Sequence, residues 1–203
     1  MVTQAPRVGV LALQGGVREH ETVLRRLGAD VVLVRRPEHL EGLEAIVLPG
    51  GESSAIDKLM RIFGIREPLQ QLIASGLPTL GTCAGLILLA DAIHDAAPGQ
   101  LQLGGLDVVV RRNAFGAQNQ SFEVDLDAPE ISEEPVHAVF IRGPLVESVG
   151  EQAHVIAALD DGRVVAVGQG NIIGLSFHPE VAGEGRFHAK LIELTVARRS
   201  SAT

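Results

Sequence analysis

Pro78-Thr79-Leu80-Gly81-Thr82-Cys83-Ala84-Gly85-Leu86-Ile87-Leu88-Leu89-Ala90 is the stretch on which the reading of this chain turns. Pro78–Gly81 predicts a short buried strand and Ala84–Ala90 a helix, with Cys83 at the turn between them. Cys83 is the one cysteine of the chain, so an intrachain disulfide and a cysteine-rich metal site are excluded. A lone cysteine is commonly a small buried hydrophobe. Flanked by small residues at a strand-to-helix turn, it also has the placement of a nucleophile elbow. There a helix N-terminus favours thiolate, and the next backbone N–H, that of Ala84, faces a developing oxyanion.

Working outward, Arg7–Leu13 reads as an apolar strand stopping at Gln14-Gly15-Gly16, and Val17–Leu27 has helical spacing through Val17, Val23, Leu24 and Leu27. Val31–Val34 and Ala45–Leu48 are the next strands, the latter ending at Pro49-Gly50-Gly51 before helices near Ser54–Phe63 and Glu67–Ser75. Downstream, Asp107–Arg111, Gln120–Asp125, Val136–Ile141, His154–Leu159, Arg163–Gly168 and Ile172–Phe177 are short, β-rich and separated by turn residues, which predicts antiparallel pairing. Asp95–Gln100 reads as a surface loop, Ala182–Ala197 as a closing helix and Arg198–Thr203 as a frayed polar tail. With no internal repeat or linker, residues 1–203 are expected to form one α/β domain. Alternating strands and helices imply a mostly parallel sheet with ligands at the carboxyl ends of its strands. Gln14–Gly16, Gly50–Ser53 and Thr82–Ala84 then meet at one rim.

Composition agrees with that architecture. Of 203 residues, 46% are AVILMFWYC but only 3% are aromatic, so the core must be built from Val, Leu, Ile and Ala, as buried parallel strands are. A formal charge of -8 without a basic block excludes an ordinary nucleic-acid surface. No apolar run approaches the roughly 20 residues that cross a bilayer, and no secretory pattern opens the chain. A cytoplasmic protein without membrane or nucleic-acid partners is expected.

Phe177-His178-Pro179-Glu180 supplies what a thiolate needs: an imidazole at a strand end and a carboxylate two residues later. In that reading His178 takes the thiol proton and returns it to a leaving group, while Glu180 orients the ring. Alone, His178 would read as a strand-end histidine bonded to backbone. A metal centre is disfavoured, because His20, His39, His94, His137, His154 and His188 show no ligand-type clustering with each other or with Cys83. At Gly50-Gly51-Glu52-Ser53 the alternatives are a second oxyanion donor from Gly51 and an ordinary glycine turn capped by Ser53. Arg112 and Arg142 are either solvated charges or the cation for a substrate carboxylate.

Gly9-Val10-Leu11-Ala12-Leu13-Gln14-Gly15, Leu48-Pro49-Gly50-Gly51-Glu52-Ser53, Gly81-Thr82-Cys83-Ala84-Gly85-Leu86, Arg112-Asn113-Ala114-Phe115-Gly116, Phe140-Ile141-Arg142 and Ser176-Phe177-His178-Pro179-Glu180 together resemble the class I, triad-type glutamine amidotransferases. Among these they are most similar to the glutaminase subunits of pyridoxal 5′-phosphate synthases. The resemblance implies a three-layer flavodoxin-like fold with a small additional antiparallel sheet. It implies hydrolysis of L-glutamine to L-glutamate and ammonia through a Cys83 thioester, with Cys83, His178 and Glu180 as triad and no metal or cofactor. Gly51, Glu52, Ser53, Arg112, Ile141 and Arg142 would contact glutamine, and Gly51 and Ala84 would line the oxyanion hole. It further implies a partner, the barrel-shaped synthase subunit that takes the ammonia within a large hetero-oligomeric complex. Ala117 departs from the basic residue usual in that family. The competing readings are a glutaminase serving another synthase, such as that of histidine biosynthesis, and a catalytically silent binding module.

Overall fold

In the computed structural model, which describes residues 4–112 and 121–201, the elbow stretch sits at the centre of a wide mixed sheet. Its parallel half is built from β1 (Arg7–Leu11), β2 (Asp30–Val34), β3 (Ala45–Leu48), β4 (Thr79–Thr82) and, from much later in the chain, a strand at Ile172–Leu175. Between β4 and that strand come β5 (Ala90–His94), β6 (Leu106–Arg111), β7 (Phe122–Leu126), β8 (Val136–Phe140), β9 (Leu145–Val149), β10 (His154–Ala158) and β11 (Val164–Gln169), so Ile172–Leu175 is β12. The order across the sheet is β2-β1-β3-β4-β12-β11-β9-β6-β5, with β10 paired to β11. From β2 to β12 neighbours are parallel; β11 reverses the direction on both its sides. β7 and β8 form a separate antiparallel pair.

Helices α1 (Val17–Arg26), α2 (Ser53–Ile62), α3 (Arg66–Ala74), α4 (Ala84–Leu89) and α5 (Arg186–Ser201) cover both faces. Alternation along each strand assigns residues to the layers. On one face Ile46 and Leu48 of β3 pack with Ile56, Met60, Leu69 and Leu86 from α2, α3 and α4. On the other, Ala45 and Val47 join Leu24 of α1, Phe187 and Leu191 of α5, and Phe140 of β8. Phe140, Phe177 and Phe187 form a chain of tilted rings with centroids 5.5 Å apart at each step, so the few aromatics bind the small sheet to the large one. This is the expected three-layer α/β class.

The departures have local causes. β5 and β9 are strands that the pattern did not predict, since exposed Asp91, Ala92, Glu147 and Ser148 break their apolar alternation. Arg111 on β6 is ion-paired to Glu147 and, at 2.9 Å, to Asp95, joining the region by charge. The closing helix starts at Arg186 rather than Ala182, because Pro179–Ala182 is a single 3₁₀ turn stopped by Gly183 at φ 69°. It also continues through Arg198–Ser201, which the polar composition marks as a tail. The Arg199 guanidinium is ion-paired to Glu44 and reaches the Gln4 carbonyl at 2.9 Å, and the Ser201 hydroxyl bonds back to Ala197.

Candidate active site

Parallel pairing of β4 with β12 builds the site. Thr82 lies opposite Leu175, and the Cys83 N–H donates to the Leu175 carbonyl at 2.7 Å. The residues leaving the two strands therefore emerge side by side. Cys83 has φ 48° and ψ -99°, a strained setting for a residue with a side chain, costing on the order of 1–3 kcal/mol. Its neighbours explain how the turn closes. A Cβ on Gly85 would lie 2.1 Å from the Leu48 carbonyl oxygen, and one on Gly81 would lie 2.7 Å from the Gly85 carbonyl carbon. Only glycines let β3, β4 and α4 approach this closely.

His178 leaves β12 with its N–H on the Val139 carbonyl, 2.8 Å away, which ties the strand end to β8. Nδ1 of its ring is 2.9 Å from Glu180 Oε1, and Cys83 lies beside the ring next to Gly50. Burial is the largest influence on the imidazole and acts downward. Interactions with Cys83 and Glu180 act upward and outweigh it, so His178 is pushed up to about 10 and is an imidazolium at neutral pH. Glu180 is 4% exposed, and its Oε2 has no hydrogen-bond partner among the described residues.

Cys83, His178 and Glu180 open onto a cavity of about 420 Å³. The same cavity is lined by Gly51, Glu52, Ser53, Arg112, Ile141 and Arg142, which brings those expected contacts to one place; Ala84 lies buried behind the thiol as the first residue of α4. Asn113, Ala114, Phe115, Gly116 and Ala117 lie outside the described residues. The cap of α2 is Glu52 and not Ser53: its carboxylate accepts from Ser54 N–H at 3.3 Å and Ala55 N–H at 2.7 Å. Arg112 Nη2 adds a 2.7 Å ion pair to the same carboxylate. Burial tends to raise the Glu52 pKa, but the bonds from Ser54 and Ala55 and the Arg112 charge hold it below the ordinary carboxylate value.

A family model described as the SNO glutamine amidotransferase family matches residues 10–197 of the chain. The chain belongs to that family. Among its relatives, the pyridoxal 5′-phosphate synthase subunit PdxT of Leifsonia xyli subsp. xyli is 63% identical over 184 residues, covering 91% of this chain and 93% of its own. The protein of the same name from Kineococcus radiotolerans is 52% identical over 204 residues, covering 98% and 99%. A crystal structure described as a glutamine amidotransferase superposes with a TM-score of 0.86 at 46% identity, covering 93% of this chain and 98% of its own.

Three residues of the site escape a sequence reading. Gln100, placed in a surface loop by its neighbours, is 8% exposed. Its Oε1 accepts from Arg112 Nη1 at 3.0 Å and its Nε2 donates to Ser53 Oγ at 3.0 Å, so it joins two cavity residues. His20 and His188, which sequence spacing keeps apart, are fully buried with His20 Nδ1 2.8 Å from His188 Nε2. His20 has a readable signal, since it shares the buried stripe of α1 with Val23 and Leu24 at i+3 and i+4. Its charged neighbours Arg18, Glu19 and Glu21 conceal it.

Proposed function

We propose that this chain is the glutaminase subunit of a pyridoxal 5′-phosphate synthase, hydrolysing L-glutamine to L-glutamate and ammonia with Cys83 as nucleophile. The observation that carries the reading is one imidazole bonded to a buried carboxylate and set beside the lone thiol in a cavity of amino-acid size. The high identity to the PdxT subunits supports the assignment to that synthase.

The Cys83 thiolate attacks the side-chain carbonyl carbon of glutamine, and the C=O electron pair moves to oxygen. Backbone N–H groups of Ala84 and Gly51 receive that oxyanion. As the pair returns, the C–N bond breaks and His178 delivers its proton to the departing nitrogen, leaving ammonia and a glutamyl thioester. Water then attacks the thioester while His178 takes its proton. A second oxyanion collapses, expelling the Cys83 thiolate and glutamate. Glu180 holds Nδ1 and stabilises the imidazolium throughout. Arg112 and Arg142 provide positive charge for the substrate α-carboxylate, Glu52 negative charge for its ammonium, and Ser53 and Ile141 complete the contact surface.

The partner in this reading is the barrel-shaped synthase subunit, which consumes the ammonia within a large hetero-oligomer; the chain forms one amidotransferase domain and works in the cytoplasm. The test is glutamate release by the purified chain with and without a pyridoxal 5′-phosphate synthase barrel subunit, pyridoxal phosphate being followed spectroscopically. Activity that needs Cys83 and rises with the synthase is expected. Undiminished glutamate release by Cys83→Ala sinks the mechanism.

A further inference from the structure

Behind the triad lies a buried polar chain that the reaction above does not use. Nε2 of His20 is 3.5 Å from Glu180 Oε1 and 3.2 Å from Thr82 Oγ1. The Thr82 hydroxyl also accepts the Gly50 N–H at 3.0 Å. On its other side, Nδ1 of His20 is 2.8 Å from Nε2 of His188. His20 thus touches the triad carboxylate and, through one hydroxyl, the peptide that enters the Gly50-Gly51 turn.

The protons on this chain can be assigned by elimination. His188 Nδ1 is buried with no hydrogen-bond partner among the described residues. An orphaned N–H in the interior costs more than an orphaned lone pair, so the His188 proton sits on Nε2 and is donated to His20 Nδ1. A neutral His20 must then carry its own proton on Nε2, facing Glu180 and Thr82. We infer that His20 is a positioning residue for the glutaminase reaction, held by His188 in the tautomer whose Nε2–H fixes the Glu180 carboxylate and, through Thr82, the Gly50 peptide. This rests on the glutaminase reading of the site.

Electrostatics agree with the geometry. Burial most of all, then the proximity of His188 and His178, holds the pKa of His20 well below its ordinary value. His20 therefore offers a dipole to Glu180 and not a second cation beside the His178 imidazolium. His188 is likewise kept neutral by burial, with Glu184 acting upward and Arg26 downward. Without His20, the Glu180 carboxylate would keep, among the described residues, His178 alone as a polar side-chain partner.

The test compares two substitutions in the full chain, assayed with a pyridoxal 5′-phosphate synthase barrel subunit. In His20→Gln the amide nitrogen falls near the former Nε2; in His20→Asn it falls near Nδ1. His20→Gln is expected to keep kcat within about threefold, whereas His20→Asn lowers kcat about a hundredfold with little change in KM, the scale of a misaligned reacting group. Equal losses in the two variants, or a change confined to thermal stability, would overturn the inference. His188→Leu leaves His20 in place but frees its tautomer, and is expected to lower kcat about tenfold, with no further loss when added to His20→Gln. Full additivity in that double variant counts against the role. The unaltered chain separates the levels: if it releases no glutamate beside the synthase, the glutaminase reading falls and this one with it; if it is active and Gln and Asn behave alike, the positioning role alone falls.

Discussion

Gly50 and His178 leave no room for a methyl group between them: a Cβ on Gly50 would lie 2.2 Å from Cε1 of the ring and 3.4 Å from the Cβ of Cys83. Gly50→Ala is therefore expected to displace the imidazole from both its partners. The glutaminase rate should fall by at least about 10²-fold, while overpacking destabilises the fold by about 1–3 kcal/mol. Steady-state kinetics beside a denaturant melt distinguish this from simple unfolding.

The raised pKa of His178 sets an alkaline limit. Because the folded value is about 10 against an ordinary 6.5, the stabilisation gained from its protonation is fully present below 6.5 and is lost as pH rises through about 10. The acylation rate needs the same proton and should fall with an apparent midpoint near 10. In Cys83→Ala the upward influence of Cys83 is lost and the midpoint must fall. Imidazole NMR titration of both forms reads the difference, and an unmoved His178 in the variant would contradict the influence of Cys83 on the ring.

Acid should act through His20 and His188. Both are buried and held neutral, with His188 pushed down to about 4 from 6.5, chiefly by burial. A histidine depressed in the fold contributes stability that is present above 6.5 and lost as pH falls toward 4. For His188 alone the loss amounts to about 3 kcal/mol once it is protonated in the fold. Thermal melts between pH 7 and 4 should show a steep fall, reduced in His188→Leu relative to its own value at pH 7.

Substrate affinity should depend on Gln100 as well as Arg112. Gln100→Leu removes the acceptor of Arg112 Nη1 and the donor to Ser53. Unsatisfied polar groups cost about 1–3 kcal/mol each, so KM for glutamine is expected to rise roughly tenfold with kcat less affected. Arg112→Lys should raise KM too, since a lysine cannot bridge Glu52 and Gln100 with one planar group. Unchanged KM in Gln100→Leu would remove that residue from the site.

Cys83 and His178 stood out in the sequence because each follows a buried apolar strand, where a polar residue has no packing reason to be, and Glu180 because it comes two residues after that histidine in the following turn. The same logic made Gly81 and Gly85 conspicuous. What stayed hidden depends on tertiary contact. Gln100 follows exposed residues and is buried by being pulled onto Ser53 and Arg112, which no local pattern records. His20 and His188 are far apart in the chain and meet when α1 and α5 pack on one face of the sheet. β5, parallel to β6, and β9, antiparallel to it, lie at the far end of the sheet, where exposed polar and charged side chains dilute the apolar alternation.

Since Cys83 and His178 are placed by the lateral pairing of β4 and β12, the spacing of thiol and imidazole is indifferent to how much chain is looped out between them. The turn at Asp160, Asp161 and Gly162 is exposed, and a Cβ on Gly162 would meet nothing within 4 Å. It is thus a port at which a fluorophore, an affinity handle or a whole second domain can be inserted while the reacting atoms keep their register.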